Sequence, residues 1–203
     1  EVATVATDGT VTAVKTGTTT ITAVSKENAK KEGKASVEVV IPPQSINLNT
    51  TELNFTYAGQ SNQLLATVLP LQAPQNITWI SSDNSVATVS NSGVVTALKS
   101  GNAIITAISA NSIAVRTSCN INVEIKPINI ILSSDTLFFR TIGATKTLTA
   151  TVLPIESIKT IKWESSNNSV VTVEQDGTLK AVGDGKAVIT VKSTLDSKVF
   201  ASC

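Results

Sequence analysis

The sequence predicts an all-β chain built as a tandem array of β-sandwich domains. Three observations carry this: a gapless internal repeat, short strands of alternating apolar residues between glycine turns, and a wealth of β-branched and turn-forming residues. No segment has a helical period.

Sliding the chain along itself brings it into register at a step of 84 residues, which links Gly9, Gly93 and Gly177. The same step links Gly17, Gly101 and Gly185, and also Ile21, Ile105 and Ile189. It joins Trp79 to Trp163, Pro70 to Pro154, Gly59 to Gly143 and Cys119 to Cys203. Such self-similarity marks an array of like units. Two units are expected at 44–127 and 128–203, the latter lacking the end of its last strand. They are preceded by the C-terminal half of another at 1–43. The joints fall at Pro42-Pro43 and Lys126-Pro127, where proline breaks a ladder and stiffens a short linker.

Within a unit every element is a strand. Leu64, Ala66 and Val68 alternate with outward positions up to Pro70, the pattern of a half-buried strand. Ile77 and Trp79 repeat it in the next strand, and Val86 to Val89 follow. A tight turn at Asn91-Ser92-Gly93 leads to Val95 and Ala97, and a second at Lys99-Ser100-Gly101 leads to Ala103, Ile105 and Ala107. The last strand carries Cys119, Ile121, Val123 and Ile125 on one face. Asp8-Gly9 and Asp176-Gly177 occupy the turn of Ser92-Gly93, as suits a hairpin that needs positive φ at glycine.

Composition excludes several functions. The 203 residues are 41% hydrophobic, 15% charged and 3% aromatic, with a formal net charge of +1. The densest basic stretch, Lys26 to Lys34, contains Glu27 and Glu32 and has the character of a solvated hairpin tip. A nucleic-acid footprint needs a concentrated basic face, so no nucleic-acid partner is expected. No apolar run is long enough to span a bilayer as a helix. Histidine is absent, which removes the commonest general base and the commonest transition-metal ligand together.

The string Trp79-Ile-Ser-Ser-Asp-Asn-Ser-Val-Ala-Thr-Val89, then Gly93-Val-Val-Thr-Ala97, Gly101 and Ile105-Thr-Ala107, resembles the bacterial Ig-like domain, group 2. The second copy runs from Trp163 to Val173, Gly177 to Ala181, Gly185 and Ile189-Thr190. The N-terminal piece enters at Val2 to Val5 and supplies Gly9 to Ala13, Gly17 and Ile21 to Ala23. The resemblance implies tandem immunoglobulin-like β-sandwich domains and no catalytic residues. It implies a building block found in intimin-type adhesins, in surface glycan-handling proteins and in phage structural proteins.

Each residue that invites a sharper role has a plainer one. Trp79 and Trp163 could stack against sugars, but period two with Ile77 and Ile161 places them in the core, as tryptophan sits in such sandwiches. Tyr57, Phe138 and Phe200 do not recur at the repeat step, so no shared lectin platform is expected. Cys119 and Cys203 hold the same site in neighbouring units, too far apart to bridge. They are expected to be buried free thiols, with an intermolecular bridge through Cys203 as the alternative. Asp8, Asp176, Asp184 and Glu174 could offer oxygens to calcium, yet the matching turn at Ser92-Gly93 has no carboxylate, and turn chemistry is the better account. Asn49, Asn54, Asn76 and Asn167 stand in glycosylation-type triplets, which an Asn- and Thr-rich chain produces by chance. Glu156 and Glu164 face Gln72 and Ile80 in the other unit, so the repeat builds no acid pair. No catalytic residue, cofactor site or metal site is expected, and the chain is expected not to be an enzyme.

Three functional classes fit these expectations. The first is a spacer or adhesion segment of a bacterial cell-surface or secreted protein, holding a binding tip that meets glycan or host receptor. The second is a glycan-binding module; the third is a phage virion component such as a capsid decoration or fibre domain. Residues 1–43 carry four strands without a preceding tryptophan strand, and Cys203 falls midway along its own. The expectation is a window on a longer repeat protein, or terminal units completed by another polypeptide.

Overall fold

The computed structural model describes residues 1–203 and contains strands and turns only. The first stretch forms β1 (Ala3–Val5), β2 (Val11–Ala13), β3 (Gly17–Val24) and β4 (Glu32–Val39). Next come β5 (Ser45–Leu48), β6 (Glu52–Phe55), β7 (Ser61–Gln63), β8 (Ala66–Leu69) and β9 (Ile77–Ser81). They are followed by β10 (Ala87–Val89), β11 (Val94–Ala97), β12 (Gly101–Ser109) and β13 (Ser112–Val123). The last stretch holds β14 (Asn129–Leu132), β15 (Thr145–Thr147), β16 (Ala150–Leu153) and β17 (Ile161–Ser165). It ends with β18 (Val171–Val173), β19 (Thr178–Ala181), β20 (Ile189–Ser193) and β21 (Phe200–Ser202). No helix is long and apolar enough to cross a membrane.

The middle sandwich shows the principle. One sheet has the order β6-β13-β12-β9, the facing one β10-β11-β7, and β5 pairs with β8. On β12 Ala103, Ile105, Ala107 and Ser109 point inward and are fully buried, while Asn102 and Ile104 point out. That period of two is what a pleated strand imposes on a sheet with one wet face. Between the sheets lies a core containing Leu53, Phe55, Leu64, Val95, Ile105, Cys119, Ile121 and Val123. A smaller cluster of Ile46, Val68, Ala73 and Ala107 fills one end, and Trp79 packs against both.

The step of 84 survives in the hydrogen-bond register. Ala3 faces Ala13, Ala87 faces Ala97, and Val171 faces Ala181. Ile21 faces Ala35, Ile105 faces Cys119, and Ile189 exchanges both backbone bonds with Cys203 at 2.9 Å. Lys26 to Lys31 form the tip between β3 and β4, and Lys34 pairs with Glu32 at 2.7 Å.

Three details differ from expectation. The run from Leu64 to Val68 is not one strand: β7 joins β11 in one sheet, and after Leu64-Leu65 the chain enters β8, which pairs with β5 in a separate two-stranded sheet. Trp163 is buried at 4% exposure, but Trp79 is only half-buried. Cys119 is fully buried, whereas Cys203 is partly exposed.

Candidate functional site

The contact between consecutive sandwiches is the most specific constellation in the molecule. One wall is the turn Lys99-Ser100-Gly101 together with Ile125, which leaves β13. The other is the loop after Pro154, whose peptide bond with Leu153 is cis, like Leu69-Pro70. The Ser100 N–H donates to the Glu156 carbonyl at 2.9 Å, and the Ile158 N–H donates to the Ile125 carbonyl at 3.1 Å. The Ser100 hydroxyl braces its own wall, accepting from the Ile125 N–H at 3.0 Å and donating to the Ile125 carbonyl at 3.3 Å. Ser157 lies buried between these bonds, with its hydroxyl unpartnered. Each bond gives about 0.5–1.5 kcal/mol, so their main effect here is to set orientation.

The joint before it is built differently. Thr16, Ile41, Gln72 and Pro74 stand where Ser100, Ile125, Glu156 and Ile158 stand, and no backbone hydrogen bond links them. Proline has no N–H, so the bond made by Ile158 is chemically impossible at Pro74. Contact there is apolar, with Ile41 resting on the cluster of Ile46, Val68, Ala73 and Ala107.

The candidate calcium carboxylates are occupied in turns or lie apart. Asp8 accepts from the Thr10 N–H at 2.9 Å and Asp176 from the Thr178 N–H at 2.8 Å. These backbone bonds hold both carboxyls below their usual range. Asp184 and Glu174 do not join them in any cluster of three or more potential ligands. Three of the four asparagine side chains in the glycosylation-type triplets are likewise engaged, Asn76 being the exception. Asn49 donates to the Gln63 carbonyl and accepts from the Leu65 N–H, Asn54 donates to Glu52, and Asn167 accepts from Ser169. Tyr57, Phe138 and Phe200 are exposed, the first two in loops and the third on β21.

Sequence reasoning missed one charged cluster. Glu164 is clasped by Lys192 at 2.8 Å and Lys162 at 3.1 Å, on the outer face of the β17–β20 pair. Lys192 first and Lys162 second hold its carboxyl below the usual range, so it is a charge in a surface ion pair and no proton donor near neutral pH. Alternation along β17 puts Lys162 and Glu164 on one face; only the pairing register brings Lys192 beside them.

Comparison with known proteins agrees with this architecture. The family model for the bacterial Ig-like domain (group 2) matches residues 44–117 and 134–199, more than half of the chain. An uncharacterized protein of Clostridium acetobutylicum is 36% identical over 149 residues, which is 71% of this chain and 15% of that protein. Ice-binding protein 1 of Shewanella frigidimarina is 31% identical over 127 residues, 60% of this chain and 14% of that protein. The chain therefore spans about one seventh of the length of these relatives. Among solved structures, domains 1–6 of the surface layer protein SbsC align at 20% identity and a TM-score of 0.36, covering 95% of this chain and 28% of that one. The family match, long and ordered along both sandwiches, shows that the chain belongs to the bacterial Ig-like domain (group 2) family.

Proposed function

We propose that the chain is a non-catalytic spacer or adhesion segment of a bacterial cell-surface or secreted protein. It comprises repeats at 1–43, 44–127 and 128–203 and carries a binding tip away from the surface. Glycan or receptor is met by other parts of the parent protein, and the neighbours of this segment are further Ig-like domains. The observation that carries this is the backbone-to-backbone joint between Ser100 and Glu156 and between Ile158 and Ile125. A spacer needs contacts that fix one module on the next, and here they come from backbone groups, which substitutions other than to proline leave in place.

Small-angle scattering tests the proposal. The twelve-residue β13 spans about 40 Å at roughly 3.3 Å per residue. Sandwiches stacked end to end give a rod of roughly 100 Å, with a radius of gyration near 30 Å. A compact globule of this length would have a radius of gyration of about 17 Å. A value near the smaller figure, with a symmetric distance distribution, would refute the spacer.

A further inference from the structure

The two tryptophan strands close their sheets in different ways. β9 is the edge of the sheet β6-β13-β12-β9, and β17 is the edge of β17-β20-β21. Along an antiparallel pair, backbone bonds join every second cross-strand pair, and the residues between them turn their N–H and C=O away. In the middle sandwich the Ser82 N–H donates to the Ile104 carbonyl and the Ala110 N–H to the Asn76 carbonyl, both at 2.9 Å. Carried along the register of β9 on β12, this puts the bonded pairs at Thr78–Ile108 and Ile80–Thr106. Ile77, Trp79 and Ser81 therefore turn their backbone groups to the open edge, where no strand pairs with them.

In the last sandwich the same edge is latched. The Trp163 N–H donates to Gln175 Oε1 at 3.1 Å, and Gln175 Nε2 donates to the Trp163 carbonyl at 3.1 Å. One amide side chain thus takes the two bonds that a neighbouring strand would make. Asn91 holds that place in the middle sandwich, is one methylene shorter, and makes no such pair of bonds to Trp79. Trp163 is buried, whereas Trp79 is only half-buried. Proteins blunt exposed edges with charge, proline, a bulge or a covering group. β9 reads Ile-Thr-Trp-Ile-Ser and carries no charge and no proline.

We propose that β9 is a self-pairing edge, through which two copies of this chain associate side by side in an antiparallel β9–β9 contact centred on Trp79. The strand itself supplies the reason for a second copy. Trp79 is its middle residue and has both its N–H and its C=O free at the edge, so a two-fold axis there satisfies both copies with the same groups. Ile77 of each copy then pairs with Ser81 of the other, and these pairs use the remaining free groups of the edge. On the outer face Thr78 of one copy stands opposite Ile80 of the other; both are exposed, and no charges are opposed. The contact merges two four-stranded sheets into one and brings the two Trp79 Cα atoms to about 5.5 Å. β17 is barred from the same contact because Gln175 already holds the central bonds.

The test is analytical ultracentrifugation of the full chain across a concentration series, with amide exchange read residue by residue. The mass should rise from 21.1 kDa towards twice that value. Exchange at the Trp79 amide should slow at least tenfold over the same range, while the Trp163 amide stays protected throughout by Gln175. Asn91→Gln supplies the latch of the last sandwich, and Thr78→Lys combined with Ile80→Lys sets like charges opposite each other across the axis. Each variant should weaken association at least tenfold, with far-ultraviolet circular dichroism unchanged to show that the sandwiches remain folded. A monomer at every concentration would overturn the proposal. So would a dimer whose Trp79 amide exchanges as fast as in the monomer, since another surface then makes the contact. Undiminished association of the double-lysine chain would overturn it as well.

Discussion

Glycines that share a backbone conformation but differ in surroundings let two costs be separated within one sandwich. Gly59 has φ of 85° and Gly93 has φ of 83°. A Cβ built on Gly59 meets nothing within 4 Å, but one on Gly93 would stand 2.5 Å from the Leu64 carbonyl oxygen and 3.0 Å from Trp79 Cζ2. Gly59→Ala therefore bears only the left-handed backbone penalty, about 1–2 kcal/mol. Gly93→Ala adds displacement of a carbonyl and an indole, about 1–3 kcal/mol more. The carbonyl cannot yield freely, because the next N–H bond of that residue, from Leu64 to the Gly93 carbonyl at 2.9 Å, ties the turn to β7. The array holds one tryptophan per matched sandwich, so urea unfolding of each can be followed alone: Trp79 in a Trp163→Phe background reports the middle one. With a urea slope of about 1 kcal/mol per molar, the midpoint should fall by roughly 1–2 M for Gly59→Ala and roughly 2–5 M for Gly93→Ala. Gly143 and Gly177 form the same pair in the last sandwich, where the added Cβ at Gly177 would meet the Leu148 carbonyl and Trp163. Equal shifts for Gly59→Ala and Gly93→Ala would refute the close approach of turn, β7 and tryptophan.

Two further outcomes follow from single positions. Trp163→Ala should destabilise the last sandwich by about 3–5 kcal/mol through a core cavity, and Trp79→Ala should cost less because Trp79 is less buried; circular-dichroism melts of the two variants rank them, and a Trp163→Ala chain that melts like the parent would sink the core assignment. Asp83 accepts from the N–H and hydroxyl of Ser85, which hold its carboxyl below the usual range, whereas Asn167 makes the same two bonds to Ser169 in the last sandwich. A depressed carboxyl supports folding above its unfolded pKa, near 3.9, and that support is lost as pH falls through the folded value. Acidification below about pH 4 should shift the Ser85 amide resonance and leave the Ser169 amide in place; parallel movement of both would contradict it.

The repeat, the strand periodicity and the turn glycines were legible in the sequence because each is a local pattern. What escaped is what register and neighbours decide. Leu64 to Val68 alternates like one strand, and nothing local says that its two halves pair with β11 and β5 in different sheets. Glu164 gains Lys192 only through the β17–β20 pairing. Trp79 and Trp163 occupy matching positions and differ in burial, which periodicity alone does not separate.

Constant spacing and variable joints together explain how one module can serve a chain with graded stiffness. The 84-residue step keeps the turn glycines, the tryptophans and the cis prolines in place in both full sandwiches. Replacing Ile158 by the matching Pro74 removes one donor and with it a fixed orientation, while Ile41 still keeps apolar contact. The second joint is accordingly a hydrogen-bonded coupling and the first an apolar pivot flanked by two prolines. Bending of the array should concentrate at Pro42-Pro43, and a single residue in the loop after the cis proline decides which kind of joint a repeat makes with the one before it.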